Sequence, residues 1–290
     1  MHNTAARLIY YGLQPLLLAG LLSAWIVYGD ALVFYPLALI LVQVVLGVLE
    51  HYYMARPEWR QPAWEKFRYV LAAAVLYVIA ASLAGVYDAI LTGPLATARK
   101  VLGLTFWPHH WPAVVQLLLV FGLSELLWYW LHRAEHRFSM VWRLTGHGAH
   151  HAFKRLAAIN FGLNHPLELF VLLLPSALIE LLFGVGLPAA GAALLVGVQA
   201  SIVHANLHLN SRLIGHLLTT NEYHIHHHSV VLEESNTNYG CATIIWDRLF
   251  GTFATGRTLE TGTGPTEPTL WEKFLMPWRE PEDTQIAPWN

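Results

Sequence analysis

The sequence predicts an all-α fold, a polytopic bundle of transmembrane helices, and its composition supports that prediction in two ways. Of the 290 residues, 55% are hydrophobic and only 12% are charged, and the mean hydropathy is +0.42. A soluble domain typically carries about 25% charged residues, so there is too little charge to cover a water-exposed surface. The apolar residues also lie in long runs, which favours membrane-spanning helices over the dispersed amphipathic pattern of soluble ones.

Four apolar runs approach the roughly 20 residues that a helix needs to cross a bilayer. They are residues 8–28, 32–49, 69–90 and 112–131. Two shorter runs follow at residues 167–183 and 187–203, broken by Gly184, Gly186 and Pro188. These two form either a full transmembrane hairpin or a shallower re-entrant pair. The first run lacks the short apolar core and the cleavage site of a signal peptide, so we expect it to be a transmembrane helix.

We expect a single integral domain with three parts. Residues 1–109 provide the N-terminal transmembrane helices, residues 110–255 carry a histidine-rich region, and residues 256–290 form a cytoplasmic C-terminal tail. If every run crosses the membrane, all but two of the 17 Lys and Arg residues fall on one side. Only Arg99 and Lys100 fall on the other. The positive-inside rule therefore predicts that the N- and C-termini are cytoplasmic.

Two further features exclude classes of site and of partner. Cys241 is the single cysteine, so the chain holds neither an internal disulfide framework nor a four-cysteine iron–sulfur or zinc site. The formal net charge of −2 predicts no nucleic-acid partner. Histidine is the remaining residue type whose number and spacing point to chemistry.

The chain has 17 histidines, and ten of them fall into four clusters with the spacing H-x-x-x-H or H-x-x-H-H. The clusters are His132 and His136; His147, His150 and His151; His204 and His208; and His224, His227 and His228. Residues at i and i+3 or i+4 share one helix face, so each cluster brings imidazoles within reach of one cation. Both H-x-x-x-H pairs follow runs that cross in the same direction. All four clusters are therefore expected at the cytoplasmic face.

The number of clustered histidines indicates two metal ions, each with about five imidazole ligands. Structural zinc prefers four ligands and often includes cysteine, whereas five imidazoles and an open position suit an octahedral ion such as iron. Imidazole also binds zinc, copper and nickel, so the residue types leave the metal open, and zinc in purified protein would be compatible with these ligands. The clusters thus predict a cytoplasmic dimetal site, with no catalytic residue evident beyond its ligands.

Several neighbouring residues are candidates to support the ligands without binding metal. Glu125 lies in the last membrane turns before His132, where a charge is costly, so we expect it to hydrogen-bond a ligand histidine. His165 begins an apolar run, and His226 points off the shared face of its cluster. Both are expected to act beside the ligands. Glu135 is expected at the surface or next to a ligand.

Four segments, taken in order, resemble the fatty acid hydroxylase/sterol desaturase superfamily of membrane non-haem di-iron oxygenases. They are residues 125–136 (ELLWYWLHRAEH), 146–151 (GHGAHH), 164–168 (NHPLE) and 222–228 (EYHIHHH). The last is followed by residues 238–240 (NYG) and 246–253 (WDRLFGTF), a run typical of the superfamily. Each segment alone is weak, but the ordered set is highly specific. Glu125 stands where the superfamily usually has aspartate.

The resemblance implies two iron ions that activate dioxygen, the co-substrate, with two external electrons. The product would be a hydroxylated or newly unsaturated lipid, and the substrate stays open among sterols, fatty acyl chains, alkyl glycerols and carotenoids. We expect no fused haem-binding domain, and therefore a separate electron donor of the cytochrome b5, ferredoxin or reductase type. Trp128, Tyr129 and Trp130 lie beside the site and are expected to be interface anchors.

Two other functions would use the same histidines. A dizinc membrane lipid hydrolase would keep the ligands but needs a water-activating base, usually a carboxylate, and none is obviously placed. A metal transporter or sensor would carry ionisable residues along a path through the membrane, whereas here they collect at one end. The sequence therefore favours a lipid oxygenase, with the hydrolase as the alternative.

Overall fold

The computed structural model describes residues 4–279, and these form thirteen α-helices and two 3₁₀ helices. The α-helices are α1 (Thr4–Tyr28), α2 (Phe34–Tyr53), α3 (Ala63–Val101), α4 (Ala113–Arg137), α5 (Ser139–Thr145), α6 (His147–His151), α7 (Pro166–Phe183), α8 (Leu187–His204), α9 (Ser211–Ile214), α10 (Asn221–His227), α11 (Leu232–Ser235), α12 (Ile245–Phe250) and α13 (Leu270–Leu275). The 3₁₀ helices are Pro57–Trp59 and Ala158–Gly162. Over the described range, β-structure is limited to three isolated bridges. The predicted all-α fold is confirmed.

Six of the described helices, α1, α2, α3, α4, α7 and α8, are long and apolar enough to cross a membrane. They correspond to the four long runs and the two shorter ones, which confirms the predicted polytopic bundle. α7 and α8 have 18 residues each, about 27 Å of helix against a hydrocarbon core of about 30 Å. Gly184 ends α7 with φ 66°, a left-handed conformation that glycine adopts at little cost. The pair thus has the length of a full hairpin.

α3 is much longer than the apolar run that predicted it. The helix has 39 residues, about 58 Å, whereas the run covered only residues 69–90. Past Ile90 the helix continues through Gly93 and Pro94, which disfavour a helix interior, into the segment of residues 95–101, where Leu, Ala, Arg and Lys favour one. Hydropathy therefore located the part of the helix that lipid can cover and not the point at which the helix ends.

α8 is the central helix of the bundle. In its apolar window 72% of the residues are buried, against 6% for α3, and it packs against α1, α2, α4 and α7. Its composition explains this position, because glycine and alanine let neighbouring backbones approach closely. At Gly191 an added Cβ would lie 2.5 Å from Leu117 Cδ1 and 2.6 Å from the Trp25 ring, so a larger side chain would force the helices apart.

Buried polar side chains tie helix ends together on the histidine side of the bundle. Glu50, near the end of α2, accepts hydrogen bonds from the backbone N–H groups of Ala158 and Asn206, each at 2.8 Å. Ala158 follows α6, and Asn206 follows α8. Gln14 of α1 donates to Gln199 of α8 at 3.1 Å. These bonds connect α1, α2 and α8 and hold the end of α2 beside the segments that follow α6 and α8.

The predicted C-terminal tail is only partly described, since residues 280–290 lie outside the described residues. The described part is not a separate tail, because α13 packs against α6. Met276 forms a small core with Ala149 of α6. Lys273 is buried with its Nζ 2.9 Å from Glu267 Oε1, and burial lowers the pKa of this lysine to about 8. The apolar side chains of this segment thus cover one side of the histidine region.

Candidate metal centre

Nine of the ten predicted ligands come together in two buried groups at one end of the bundle. The first group is His132, His136, His147, His151 and His227, and the second group is His150, His204, His224 and His228. Within each group the candidate ligand atoms lie within 4.8 Å of one another. The two groups adjoin, since the rings of His151 and His228 stack with their centres 4.3 Å apart.

The H-x-x-H-H spacing divides its histidines between the two groups. In each such cluster the two residues four apart enter one group, and the residue at i+3 enters the other. The pairs four apart are His147/His151 and His224/His228, and the i+3 residues are His150 and His227. On a helix, positions i+3 and i+4 differ by about 100° around the axis, so neighbouring imidazoles face different ions. The short helix α6, and α10 with the residue after it, therefore each contribute to both groups.

α4 and α8 supply the remaining ligands. His132 and His136 are four residues apart on α4, and His204 is the last residue of α8. Gly146 turns the chain from α5 into α6 with φ 74°. An added Cβ at Gly146 would lie 2.6 Å from Cγ of His165, so glycine is needed both for the backbone conformation and for the space. This turn brings α6 across the end of α4.

Four of the nine histidines carry their proton on Nδ1, because that nitrogen faces an acceptor. The contacts are His132 Nδ1 to Tyr239 O at 2.6 Å, His227 Nδ1 to Thr237 O at 2.7 Å, His147 Nδ1 to Glu168 Oε1 at 2.7 Å, and His204 Nδ1 to Ala200 O at 2.7 Å. A carbonyl or carboxylate oxygen accepts, so the imidazole donates from Nδ1. In a neutral ring Nε2 then carries the lone pair, which is the form that binds a metal.

The Nε2 atoms point at one another. Their distances are 3.0 Å for His132–His147, 3.1 Å for His132–His227, 3.2 Å for His204–His150 and 3.1 Å for His204–His224. In the first two pairs both nitrogens carry lone pairs, and such atoms repel each other at this distance unless a positive charge lies between them. A cation bonded to several of these nitrogens removes the repulsion. The nine histidines therefore fit two metal ions.

Six of the candidate ligands do not lie on the long helices, and burial keeps their imidazoles in the neutral form that binds metal. It lowers the pKa well below the usual value of 6.5, and neighbouring imidazoles lower it further, for His147, His150, His151, His224, His227 and His228. A neutral imidazole has a lone pair for a metal, whereas an imidazolium has none. These side chains therefore stay able to bind an ion well into the acidic range.

Two buried carboxylates lie beside His147. Glu168 Oε1 is 2.7 Å from His147 Nδ1, and Glu135 Oε2 is 3.5 Å from the same atom. The exposed fractions of these side chains are 1% and 0%, so Glu135 is at a ligand and not at the surface. Sequence reasoning assigned no role to Glu168. The available signal was its position in the first turn of an apolar helix, where an acidic residue is functional by default.

Replacing Glu168 should weaken metal binding in the first group. Without its carboxylate, His147 loses the acceptor that sets its ring orientation and tautomer, and such changes typically lower metal affinity about 10–100-fold. We expect Glu168→Ala to show this loss in chelator competition with purified protein. Glu168→Gln keeps an oxygen acceptor and should recover part of the affinity. Glu180→Ala, on the same helix, is the control, and equal affinities in the two alanine variants would contradict the role.

His208 departs from the prediction, because it is exposed and joins neither group. α8 ends at His204, and Ala205 is extended with φ −63° and ψ 133°. A spacing of four residues therefore no longer places the two imidazoles on one helical face. The predicted set of ten ligands is corrected to nine candidates, four of them in the second group.

His165 and His226 lie outside both groups. The His165 side chain accepts a hydrogen bond from Leu167 N at 3.1 Å and so caps the start of α7, while its Nε2 lies 3.0 Å from Phe274 O. It therefore joins α7 to α13 and also packs on the turn before α6. His226 Nδ1 lies 3.1 Å from Thr258 Oγ1. It is therefore directed at a residue outside both groups.

We expected Glu125 to hydrogen-bond a ligand histidine, but in the structure it hydrogen-bonds a loop. Its Oε2 accepts hydrogen bonds from the backbone N–H groups of Ala242 and Thr243, at 2.8 and 3.2 Å. The side chain is 2% exposed, so these bonds satisfy a carboxylate that is otherwise removed from water. The sequence could not reveal this partner, because the loop is more than a hundred residues away along the chain.

Asp247 braces the same loop from its other side. It accepts hydrogen bonds from the backbone N–H groups of Tyr239 and Gly240 and from Thr252 Oγ1, each at 2.7 Å. The carbonyl oxygen of Tyr239 is the acceptor for His132 Nδ1. Asp247 thus positions a first-group ligand through one peptide unit. Its own side chain is fully buried.

A cavity begins at the histidines of both groups and runs between α4, α7 and α8. The lining residues beyond the histidines include Trp128 of α4, Glu168, Leu172 and Ser176 of α7, and Val196 and Ala200 of α8. The stretch from Glu168 to Ser176 covers about 12 Å along α7. The cavity therefore leads from the metal centre into the membrane-spanning part of the bundle.

Of the three aromatic residues expected to be interface anchors, only Trp130 is exposed, at 48%. Tyr129 is fully buried, and Trp128 is 5% exposed. Trp128 lies four residues before His132 and therefore on the same face of α4. The two rings stack with their centres 5.1 Å apart and their planes at 24°. Trp128 is thus part of the wall of the metal centre.

The region that holds this site is similar to known proteins. Residues 117–252 match the family model for fatty acid hydroxylase. The ornithine lipid hydroxylase OlsE of Rhizobium tropici is 34% identical over 152 residues, which cover 51% of this chain and 44% of that protein. The alkylglycerol monooxygenase of Danio rerio is 26% identical over 186 residues, 57% of this chain and 39% of that protein. The very-long-chain aldehyde decarbonylase GL1-8 of Oryza sativa subsp. indica is 29% identical over 160 residues, which cover 53% of this chain and 58% of that protein.

The matched segments span about half the length of these relatives, between 39% and 58%. No solved structure matches the chain. All nine histidines of the two groups lie inside the segment that the family model covers. Residues 117–252 thus match the fatty acid hydroxylase family, in agreement with the resemblance to the fatty acid hydroxylase/sterol desaturase superfamily that the ordered sequence segments indicate.

Proposed function

We propose that this protein is a membrane lipid oxygenase that holds two iron ions in its two histidine groups. It would hydroxylate or desaturate a lipid with dioxygen and two external electrons. One observation carries the proposal: two buried groups of imidazoles adjoin each other at the end of a cavity that runs between membrane helices. The relatives are named for lipid hydroxylation, monooxygenation and aldehyde decarbonylation, which supports lipid chemistry without selecting a substrate.

The spacing of the ligand nitrogens favours an ion with more than four ligands. With a metal–nitrogen bond of about 2.1 Å, adjacent nitrogens lie about 3.0 Å apart in an octahedron and about 3.4 Å apart in a tetrahedron. The Nε2–Nε2 distances of 3.0 to 3.2 Å run from the octahedral value to the midpoint between the two values, and none reaches the tetrahedral value. This supports iron over a closed tetrahedral zinc site, although the same imidazoles can accept zinc during purification.

The reaction has a definite balance. Hydroxylation converts a C–H bond into C–OH, and dioxygen, two electrons and two protons supply the inserted oxygen and one water. Desaturation removes two hydrogens from adjacent carbons, and both oxygen atoms leave as water. Bound iron supplies the activation of dioxygen. The protein holds the ligands in one tautomer, keeps water from the buried groups, and gives an apolar chain a route from the bilayer.

The electrons would come from a separate donor protein of the cytochrome b5, ferredoxin or reductase type. By the positive-inside rule, the histidine end of the bundle and both chain termini would lie in the cytoplasm. In that orientation a donor approaches the metal centre from water, while a lipid approaches from the membrane side. The lipid and the donor therefore reach the site from different directions.

The oxygen requirement tests this proposal directly. Purified protein loaded with iron is incubated with membrane lipids, a reductant and an electron carrier under labelled dioxygen. We expect a product only when oxygen and reductant are both present. Hydroxylation carries the label into the lipid, whereas desaturation leaves it in water. Equal product formation without oxygen or without reductant would exclude an oxygenase.

A dizinc lipid hydrolase remains the second candidate because of Glu168. Sequence reasoning found no carboxylate to activate water, but the structure places this one on the wall of the cavity and against His147. A hydrolase would release an acid or an alcohol from the lipid with zinc alone and in the absence of oxygen. The anaerobic arm of the same experiment therefore distinguishes the two functions.

A further inference from the structure

The cavity beside the metal centre contains buried polar atoms for which residues 4–279 provide no hydrogen-bond partner. Trp128 Nε1 is a donor of this kind, and Glu168 Oε2 is an acceptor. Both residues line the cavity, and both side chains are at least nine-tenths buried, with exposures of 5% and 1%. A buried donor left without a partner destabilises the fold, and a buried Trp N–H usually has one.

The indole of Trp128 is held in a fixed orientation. Its ring stacks on His132, four residues later on α4, with the ring centres 5.1 Å apart. The indole ring that carries the Nε1–H group therefore lies directly against a candidate ligand of the first group. A molecule that accepts a hydrogen bond from Trp128 would place its neighbouring atoms close to the metal centre.

The far part of the cavity differs in character. It is lined by Leu172, Pro175 and Ser176 of α7 and by Val196, Gly197 and Ala200 of α8, and apart from the Ser176 hydroxyl these side chains are apolar. At Gly197 an added Cβ would meet nothing closer than 3.8 Å. This end suits a hydrocarbon chain, whereas the end near Trp128 and Glu168 suits a polar group. The cavity is thus amphipathic along its length.

We propose that the cavity selects lipids that carry an ester, ether or amide oxygen, which accepts a hydrogen bond from Trp128 Nε1. The oxygen-bearing group binds next to the metal centre, and the hydrocarbon tail extends along α7 and α8. The carbon that reacts therefore lies within a few bonds of that group and not in the middle of the tail. This inference rests on the proposed function, because it assigns the substrate class of the same site.

A binding experiment without dioxygen tests the inference apart from turnover. Radiolabelled 1-O-hexadecylglycerol is bound to metal-loaded protein in detergent, and N-hexadecylacetamide and hexadecane compete for the site. We expect the amide to displace the probe from the wild-type protein at concentrations at least about tenfold lower than hexadecane, the factor that one hydrogen bond provides. Trp128→Phe keeps an aromatic ring and removes the N–H, so it should reduce this preference about tenfold.

Trp130→Phe is the matched control, because Trp130 lies on the same helix and is exposed. It should keep the wild-type preference, and metal content should be equal in all three proteins. Equal competition by amide and hexadecane on the wild-type protein would overturn the inference, as would an unchanged preference in Trp128→Phe. Either result would mean that the Trp128 N–H group donates its hydrogen bond to water or to no group, and not to the lipid. Selective binding without oxygen-dependent product would instead overturn only the proposed oxygenase.

Discussion

Alanine at a buried histidine of either group should lower the metal content from two equivalents to one or fewer, while alanine at His208 should leave it at two. Each group uses imidazoles that have no substitute nearby, and even partners outside the ligand set typically change metal affinity about 10–100-fold. We therefore expect His147→Ala and His204→Ala to lose at least about 100-fold in metal affinity and in lipid oxidation. His208 is exposed and belongs to neither group.

Elemental analysis of protein from iron-replete cells, followed by reconstitution with ferrous iron, measures this effect. The wild-type protein and His208→Ala should match in metal content and in melting temperature. Zinc in a preparation counts as occupancy, because the same imidazoles bind it. A wild-type content that stays at one equivalent would contradict the dinuclear centre. Equal losses in His147→Ala and His208→Ala would contradict the assignment of ligands.

Asp247→Ala should be the most destabilising single change outside the ligands. It would leave the N–H groups of Tyr239 and Gly240 and the hydroxyl of Thr252 without their acceptor. Each buried group left unpaired costs about 1–3 kcal/mol, so the free energy of unfolding should fall by about 3 kcal/mol or more. The loop would also release the carbonyl that fixes His132. Metal affinity in the first group should fall with stability.

Thermal unfolding in detergent and chelator competition measure the two effects. Asp247→Asn keeps an acceptor oxygen and should lie between the wild-type protein and the alanine variant. Asp30→Ala is the control, since Asp30 is exposed in the loop after α1. A melting temperature for Asp247→Ala equal to that of Asp30→Ala would show that the loop does not depend on this carboxylate.

The parts of this structure that were predictable from sequence depend on local spacing. Long apolar runs located the membrane-spanning helices, and the i, i+3 and i+4 spacings selected nine histidines that do come together. The prediction that His208 is a ligand is wrong because α8 ends at His204, and a spacing of four residues places two side chains on one face only within a continuous helix. The length of α3 was underestimated for a different reason, since this helix extends beyond both ends of the apolar run that located it.

The supporting residues could not be predicted because their partners are distant along the chain. Glu125 contacts a loop 117 residues later, and Glu168 contacts a histidine 21 residues earlier across a turn. Neither separation corresponds to any helical or strand period. The sequence showed that these carboxylates are costly to bury, but only the packing of α4, α7 and the loop shows which donors satisfy them.

If each group binds an ion, the division of histidines within α6 and α10 should make the binding of the two ions cooperative. An ion in the first group fixes His147 and His151, and thereby the orientation of a five-residue helix that also carries His150 of the second group. Filling one position therefore preorganises the other and removes part of its entropic cost. The half-loaded protein should be a minor species during metallation. Such a device would protect a dinuclear enzyme from persisting with a single ion.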